Sequence, residues 1–364
     1  EEREKGKEAK ENQEKEETPK QKEEKESVQA LISSISGGYL LNVLSVGAKL
    51  DLFSKMYQCQ NISGSWTSEQ LASHSGLNER LLREWLGCTA ASGVVRWLVD
   101  DDGEVRYWLP EQTVKLICEY GEGSPGGEQS VAGCLLAHIT LSSRIRSLSH
   151  AFLHSHGISF DEGDDDGELS RGISAFHTNI FRNIFSAHLL PSFDTYCPNY
   201  YPGGLMKQLE EGMLVGDVGC GAGELVFALG KAFPRSKFVG FEISETALKE
   251  CHEGKERKKK KGGGENVVFM DGRREGGRVG EGEHEGIYDL IVSFDLVHDC
   301  EDPSQLVQGV RRGLREEGAW LVCDVVSGDN HLDNIKKTDV VTWSFSVQLC
   351  LPSGMGKEGK GEGM

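Results

Sequence analysis

Leu214-Val215-Gly216-Asp217-Val218-Gly219-Cys220-Gly221-Ala222-Gly223-Glu224 is the stretch that decides the fold of this chain. The apolar run Met213-Leu214-Val215 leads into Asp217, and glycines follow at 219, 221 and 223. Leu225-Val226-Phe227-Ala228-Leu229 then carries a helical pattern. Strand, tight glycine turn and helix open a βαβ unit. Glycine is needed where a backbone turns sharply or approaches a ligand without a Cβ in the way. The amides of the turn and the helix N-terminus then face that ligand.

The spacing selects the ligand. A dinucleotide fold uses G-x-G-x-x-G, whose third glycine lets helix and strand pack closely. Here the third glycine comes one residue early, and Glu224 holds the packing position. Asp217 stands two residues before the first glycine, where a carboxylate repels a pyrophosphate and suits a cation. S-adenosylmethionine carries an ammonium and a sulfonium and no phosphate. The pattern resembles motif I of the class I S-adenosylmethionine-dependent methyltransferases. The next apolar segment, Lys237 to Phe241, ends in Glu242, 21 residues after Gly221. From that place an acidic side chain accepts hydrogen bonds from ribose hydroxyls. A helix N-terminal charge before Ser244-Glu245-Thr246 is a compatible second reading of Glu242.

Composition narrows the class. The net charge of −18 argues against a general nucleic-acid binder. No apolar run approaches the roughly 20 residues that a membrane span needs. The N-terminus is rich in glutamate and lysine, unlike a targeting signal, so a cytoplasmic protein is expected. Ten cysteines are scattered without a C-x-x-C pair. They read as reduced thiols, with neither a disulfide framework nor a metal site.

In order along the chain, residues 1–27 are expected to be a disordered charged tail, because 1–26 hold 11 acidic and 8 basic residues and no aromatic. Residues 28–118 read as a winged helix. Thr67-Ser68-Glu69-Gln70 caps a short helix. Glu79 to Ala91 forms the next, with Leu81, Leu82, Trp85 and Leu86 inward. Asp100 to Gly103 turns a hairpin. This domain holds seven basic and nine acidic residues, and Glu79 and Glu84 offset Arg80 and Arg83. A DNA reader should show a basic face. Dimerisation or substrate covering is therefore the expected role. Residues 119–205 are linker helices, from Val131 to Phe152 and from Ile173 to Leu190, around an acidic glycine-containing loop, Asp161 to Asp166. That loop lacks calcium-ligand spacing. Phe176, His177 and Tyr196 are candidates to reach the site, or simply core.

Residues 206–350 form the Rossmann-like domain. Arg257 to Lys261 is a basic run in a solvated insertion. Asn266 to Asp271 is the third strand, and Asp271 is placed to bond an adenine amino group. Tyr288 to Phe294 is a continuous apolar strand, as a buried parallel strand should be. Asp295-Leu296-Val297-His298-Asp299 follows at the edge where ligands collect in open α/β sheets. Asn78-Glu79-Arg80, Arg83-Glu84-Trp85-Leu86-Gly87, the glycine turn and Phe294-Asp295 to His298-Asp299 resemble the winged-helix class I methyltransferases. More distantly, the chain is similar to small-molecule O-methyltransferases, which carry a His-Asp pair after the fourth strand.

The resemblance implies an α/β fold, a winged helix followed by a doubly wound methyltransferase sheet. It implies S-adenosylmethionine held by Asp217, Gly219, Cys220, Gly221, Gly223, Glu242, Asp271 and Asp295. His298 is implied as the general base, a role that neutral imidazole suits at pH 7; helix capping or packing is the other reading of it. The acceptor is expected to be a small molecule, and the winged helix to form a homodimer. One departure is expected. No two strand-like runs follow the fifth strand, so the sheet should lack its last two strands and part of its substrate wall, with residues 351–364 as a disordered tail. A non-catalytic scaffold derived from such an enzyme is the reading from another class.

Overall fold

The computed structural model describes residues 18–118, 125–127, 129–164, 166–180, 185, 188–260, 262–326, 328 and 330–356. Helix covers part of the segment whose charge pattern implies a disordered tail. Helix α1 spans Pro19–Lys49. Thr18 accepts from the Gln21 amide, the Gln21 side chain accepts from the Thr18 amide, and Pro19 fills the first turn. This capping box satisfies orphan donors that polarity alone does not reveal. The disordered tail expected through residue 27 is therefore helical from 19; residues 1–17 lie outside the described ones.

The winged helix is as read. It comprises α2 (Leu52–Ser63), α3 (Ser68–Ser75), α4 (Glu79–Ala91), β1 (Arg96–Val99), β2 (Val105–Trp108) and α5 (Glu111–Ile117). Phe53, Met56, Leu71, Leu82, Trp85 and Leu86 make its core. Leu81, expected inward, is 72% exposed, because its register on α4 points away from α2 and α3. The Trp85 indole donates to the Val43 carbonyl and fastens α1 to this core. Arg80 pairs with Glu84, and Arg83 lies 3.4 Å from Glu79. The would-be recognition helix spends its cations on its own carboxylates.

The linker is α6 (Ala132–Ser143), α7 (Ile145–His154), α8 (Glu168–Ile180) and α9 (Leu190–Tyr196). The single helix expected from Val131 to Phe152 breaks at Arg144. Its guanidinium turns away to the Glu162 and Phe160 carbonyls. Helices α6 and α8 touch backbone to backbone. A Cβ on Gly172 would lie 2.5 Å from the Ala137 nitrogen and 2.6 Å from the Gly133 oxygen.

The second domain is α10 (Leu205–Glu211), β3 (Leu214–Val218), α11 (Glu224–Ala232), β4 (Lys237–Glu242), α12 (Glu245–Lys259), β5 (Val267–Asp271), β6 (Tyr288–Phe294), α13 (Pro303–Gly313) and β7 (Leu314–Cys323). The basic run read as an insertion supplies the last turn of α12, where cations suit the helix dipole. The five strands are parallel in the order β5-β4-β3-β6-β7. From β3 the chain moves outward to β4 and β5, then returns to β6 on the other side. The C-terminal ends of β3 and β6 thus flank the crevice where such sheets bind ligands.

Among the described residues no strand pairs with the outer side of β7. The remaining elements are α14 (His331–Lys337), α15 (Val340–Phe345), a π turn at Ser346–Cys350 and α16 (Leu351–Met355). Of the tail expected over residues 351–364, Leu351–Met355 is helical, and residues 357–364 lie outside the described ones. The Gly157 and Ile158 amides donate to the Gly356 and Pro352 carbonyls, at 2.8 and 2.9 Å, and hold this segment against the linker.

The glycine contact fixes a test. Gly172→Ala should lower stability by about 1–3 kcal/mol through overpacking. Gly87→Ala, within α4 and with nothing within 4 Å of the new methyl, should raise it by about 0.5–1 kcal/mol. Urea midpoints for the two variants should move in opposite directions.

Candidate active site

The turn after β3 holds three consecutive alternate glycines in the left-handed region, with φ of +73°, +53° and +82° at 219, 221 and 223. Gly219 faces Leu296 of the loop after β6, and a Cβ would sit 2.6 Å from its side chain. Gly223 faces Phe269 at 2.7 Å. Gly221 meets nothing within 4 Å. The turn is therefore clamped at both ends and open in the middle, as a ligand cradle must be. Cys220 is buried, and its thiol is pushed up by contact with Cys251 and by burial.

Asp217 is buried at the end of β3. Burial pushes its carboxyl well above the usual range, and the neighbouring Glu242 pushes it further. Glu242 lies two residues beyond Gly240, the register partner of Asp217, and closes β4. Its Oε2 accepts from the Gly221 amide at 2.7 Å, and its Oε1 accepts from Ile243 and Ser244 at 2.7 and 2.8 Å. Burial raises Glu242 too, against the pull of those three amides. No lysine, arginine or histidine is paired with either carboxylate among the described residues. A buried carboxylate without a partner costs several kcal/mol. A ligand bearing positive charge and no phosphate fits this place, and S-adenosylmethionine is such a group.

Asp271 is in register with Glu242 on β5 but is taken by arginine. Arg273 Nε and Nη2 each lie 2.9 Å from its oxygens, and Arg274 Nε lies at 3.2 Å. The Arg273 fork holds its carboxyl down at about 2. A cavity of about 440 Å³ lies beside it, between α12 and residues 269–277. Phe269, which lines that cavity, also presses on Gly223 of the glycine turn.

The loop after β6 gathers the second half of the site. Asp295 adopts φ +52°, a left-handed conformation that aspartate tolerates. His177 of α8 reaches it, Nε2 to Oδ2 at 3.0 Å, and stands edge-on to Phe294. Of the three aromatic candidates only His177 arrives; Tyr196 is 82% exposed, and Phe176 also faces solvent. His298 is half-enclosed between carboxylates. Its Nδ1 lies 2.5 Å from Asp324 Oδ1, and its Nε2 lies 3.2 Å from Asp299 Oδ1. Asp324 also accepts from the Val297 and Val325 amides. Burial alone would lower the imidazole pKa. The Asp324 hydrogen bond and the charges of Asp299 and Asp295 outweigh it and raise it to about 9. Burial raises Asp299 to about 6. Asp324 was not singled out in the sequence; an acid at a strand's C-terminal end was its one signal.

Two donor groups here, Asp295–His298–Asp324 and His298–Asp299–Cys350, are compact enough to share an ion. Each already contains a positive charge, the His298 imidazolium. A group whose pKa rises on folding adds stability below its unfolded value and loses it as pH climbs through the folded value. For His298 that window runs from about 6.5 to about 9. Its contribution, at most about 3 kcal/mol, should fade across the window. Urea titrations at pH 6.5 and 9.5 should show a drop in the wild type that is smaller in His298→Gln.

Known proteins share this architecture. Residues 209–353 match a family described as a methyltransferase domain, and residues 39–118 match an Rv2258c-like winged HTH domain. The mitomycin 7-O-methyltransferase MmcR is similar in structure, with a TM-score of 0.60 at 18% identity, over 92% of this chain and 88% of that one. Human N-acetylserotonin methyltransferase, solved in complex with SAM, has a TM-score of 0.60 at 14% identity, over 92% and 86%. A putative O-methyltransferase from Nostoc punctiforme PCC 73102 has a TM-score of 0.60 at 16% identity, over 94% and 89%. No curated protein sequence matches. Identities this low speak to fold. The chain thus carries a methyltransferase domain behind an Rv2258c-like winged HTH domain, and its fold is that of winged-helix methyltransferases.

Proposed function

We propose that the chain transfers a methyl group from S-adenosylmethionine to a small-molecule acceptor, at oxygen. The observation that carries this reading is the pair of buried, cation-free carboxylates, Asp217 and Glu242, at the open middle of the glycine turn. When bound, the cofactor supplies an electrophilic methyl on a sulfonium. The protein supplies position and exclusion of water. Asp217 and the turn from Gly219 through Cys220 and Gly221 to Gly223 hold the methionine end. Glu242 takes the ribose: a carboxylate offers about four acceptor sites, and three are used. Asp295, on the loop that presses on Gly219, adds negative charge to the same edge. Asp271 serves adenine only by giving up its arginines, so it is the weakest member of the set.

His298 is the group that takes the acceptor's proton, with Asp324 holding Nδ1. Its raised pKa sets a condition. Roughly one molecule in a hundred carries the free base at pH 7. The reaction is therefore driven best in alkaline solution. The exposed apolar face of α1, formed by Val28, Leu31, Ile32, Ile35 and Tyr39, supports a homodimer through the N-terminal half. An 18-residue window of α1 has mean hydropathy 1.4 and is long enough to cross a membrane by length and composition. Its C-terminal half is instead committed to the winged-helix core through Val43.

Calorimetric titration with S-adenosylmethionine should give a micromolar Kd. Asp217→Asn and Glu242→Ala should each weaken it tenfold or more, about 1.4 kcal/mol. A folded chain that takes up no cofactor would sink the enzyme and leave a non-catalytic scaffold. Once an acceptor is found, kcat should rise with pH up to about 9. His298→Gln should lower it by about 10²–10⁴ and flatten the profile. An unchanged profile in that variant would remove His298 as the base.

A further inference from the structure

The acidic loop between α7 and α8 is absorbed by neither domain's function, yet it touches both. Asp161 reaches 83 residues along the chain to the start of α12. Its Oδ1 accepts from the Ser244 hydroxyl at 2.5 Å, and its Oδ2 accepts from the Glu245 amide at 2.8 Å. The Thr246 hydroxyl lies 3.1 Å from Oδ1. Ser244 already caps α12 by accepting from the Ala247 amide, so Asp161 is not needed to begin that helix. What Asp161 does is fix Ser244. The amide of Ser244 is one of the three that orient Glu242.

The loop itself is held rigidly. Asp164 is fully buried and accepts from the Thr140 hydroxyl at 2.9 Å and the Leu169 amide at 2.7 Å. Lys49, at the end of α1, pairs with Asp166 at 3.0 Å and Glu168 at 2.6 Å. The chain of contacts therefore runs from the winged-helix half through the loop to the strand end that carries Glu242. We propose that Asp161 is a positioning residue for the cofactor: through Ser244 it holds Glu242 in the geometry that receives the ribose hydroxyls, and it makes cofactor affinity depend on docking of the linker against the sheet. This rests on the methyltransferase reading.

The test is a double-mutant cycle in full-length chain, read by calorimetric titration with S-adenosylhomocysteine. Asp161→Ala should weaken binding about five- to twentyfold. In the Glu242→Gln background the same change should cost less than twofold, because the residue it positions is already impaired. Asp161→Asn keeps an acceptor for Ser244 and should retain most of the affinity; it also keeps the test decisive if the alanine variant fails to fold. Independent losses that multiply, or an Asp161→Ala chain with a lower melting temperature and unchanged affinity, would reduce Asp161 to a structural strut. A wild-type chain that binds no S-adenosylhomocysteine overturns the methyltransferase reading and the positioning role together. Binding with multiplicative losses overturns only the latter.

Discussion

Two carboxylates buried side by side without a cation are the constraint on which the rest of this structure depends. Asp217 and Glu242 end adjacent parallel strands, so their separation is set by the sheet and cannot relax. Burial raises the proton affinity of each carboxyl, and Glu242 raises that of Asp217 further. The protein offsets part of the cost with three amides on Glu242. It offers Asp217 no such relief among the described residues. The apolar packing behind the edge, from Val215 and Phe238 to Leu290, holds the strands in place against this repulsion. In the proposed reading a cationic ligand offsets that cost when it enters.

The opposite end of the crevice solves the same problem differently. Asp295, Asp299 and Asp324 also crowd together, but there the cation is built in. His298 sits among them and holds its proton to about 9. His177 supplies a second imidazole from outside the sheet. One end of the crevice thus awaits positive charge, and the other carries its own. In the proposed reaction the sulfonium loses its charge as the methyl leaves, and the acceptor's proton must find a home at the imidazole end. An imidazole end that already carries its proton can take the acceptor's only after losing its own, which is why alkaline solution favours the proposed step.

Much of this was legible in the sequence because backbone geometry forces it. Three left-handed turn positions require glycine, and a strand that ends in Glu242 21 residues after Gly221 requires no tertiary knowledge. The winged helix was legible from period and caps. Leu81 misled because one helical position decides between core and solvent, and periodicity resolves that only coarsely. The break at Arg144 was hidden because its cause is a side chain bonding to carbonyls 16 and 18 residues away. Asp324 and Asp161 were hidden for the same reason at longer range. Their partners are 26 and 83 residues distant, and nothing local marks a carboxylate that will meet them.

The C-terminal segment shows how far a fold can depart from its pattern while keeping the crevice enclosed. The sheet stops at β7, whose outer edge has no strand partner among the described residues, as the sequence implied. Among the described residues, helical segments stand at the His298 end of the crevice. The π turn at Ser346–Cys350 brings Cys350 to the His298–Asp299 pair, and α16 is tied back to the linker at Gly157 and Ile158. Helix α8 completes the enclosure with His177. Every element around the acceptor end except the β6 and β7 loops is therefore helical and lies outside the sheet. In the proposed reading this separates two kinds of recognition. The methyl donor is chosen by strand ends whose geometry the parallel sheet enforces. The acceptor is chosen by helices free to vary without disturbing that sheet.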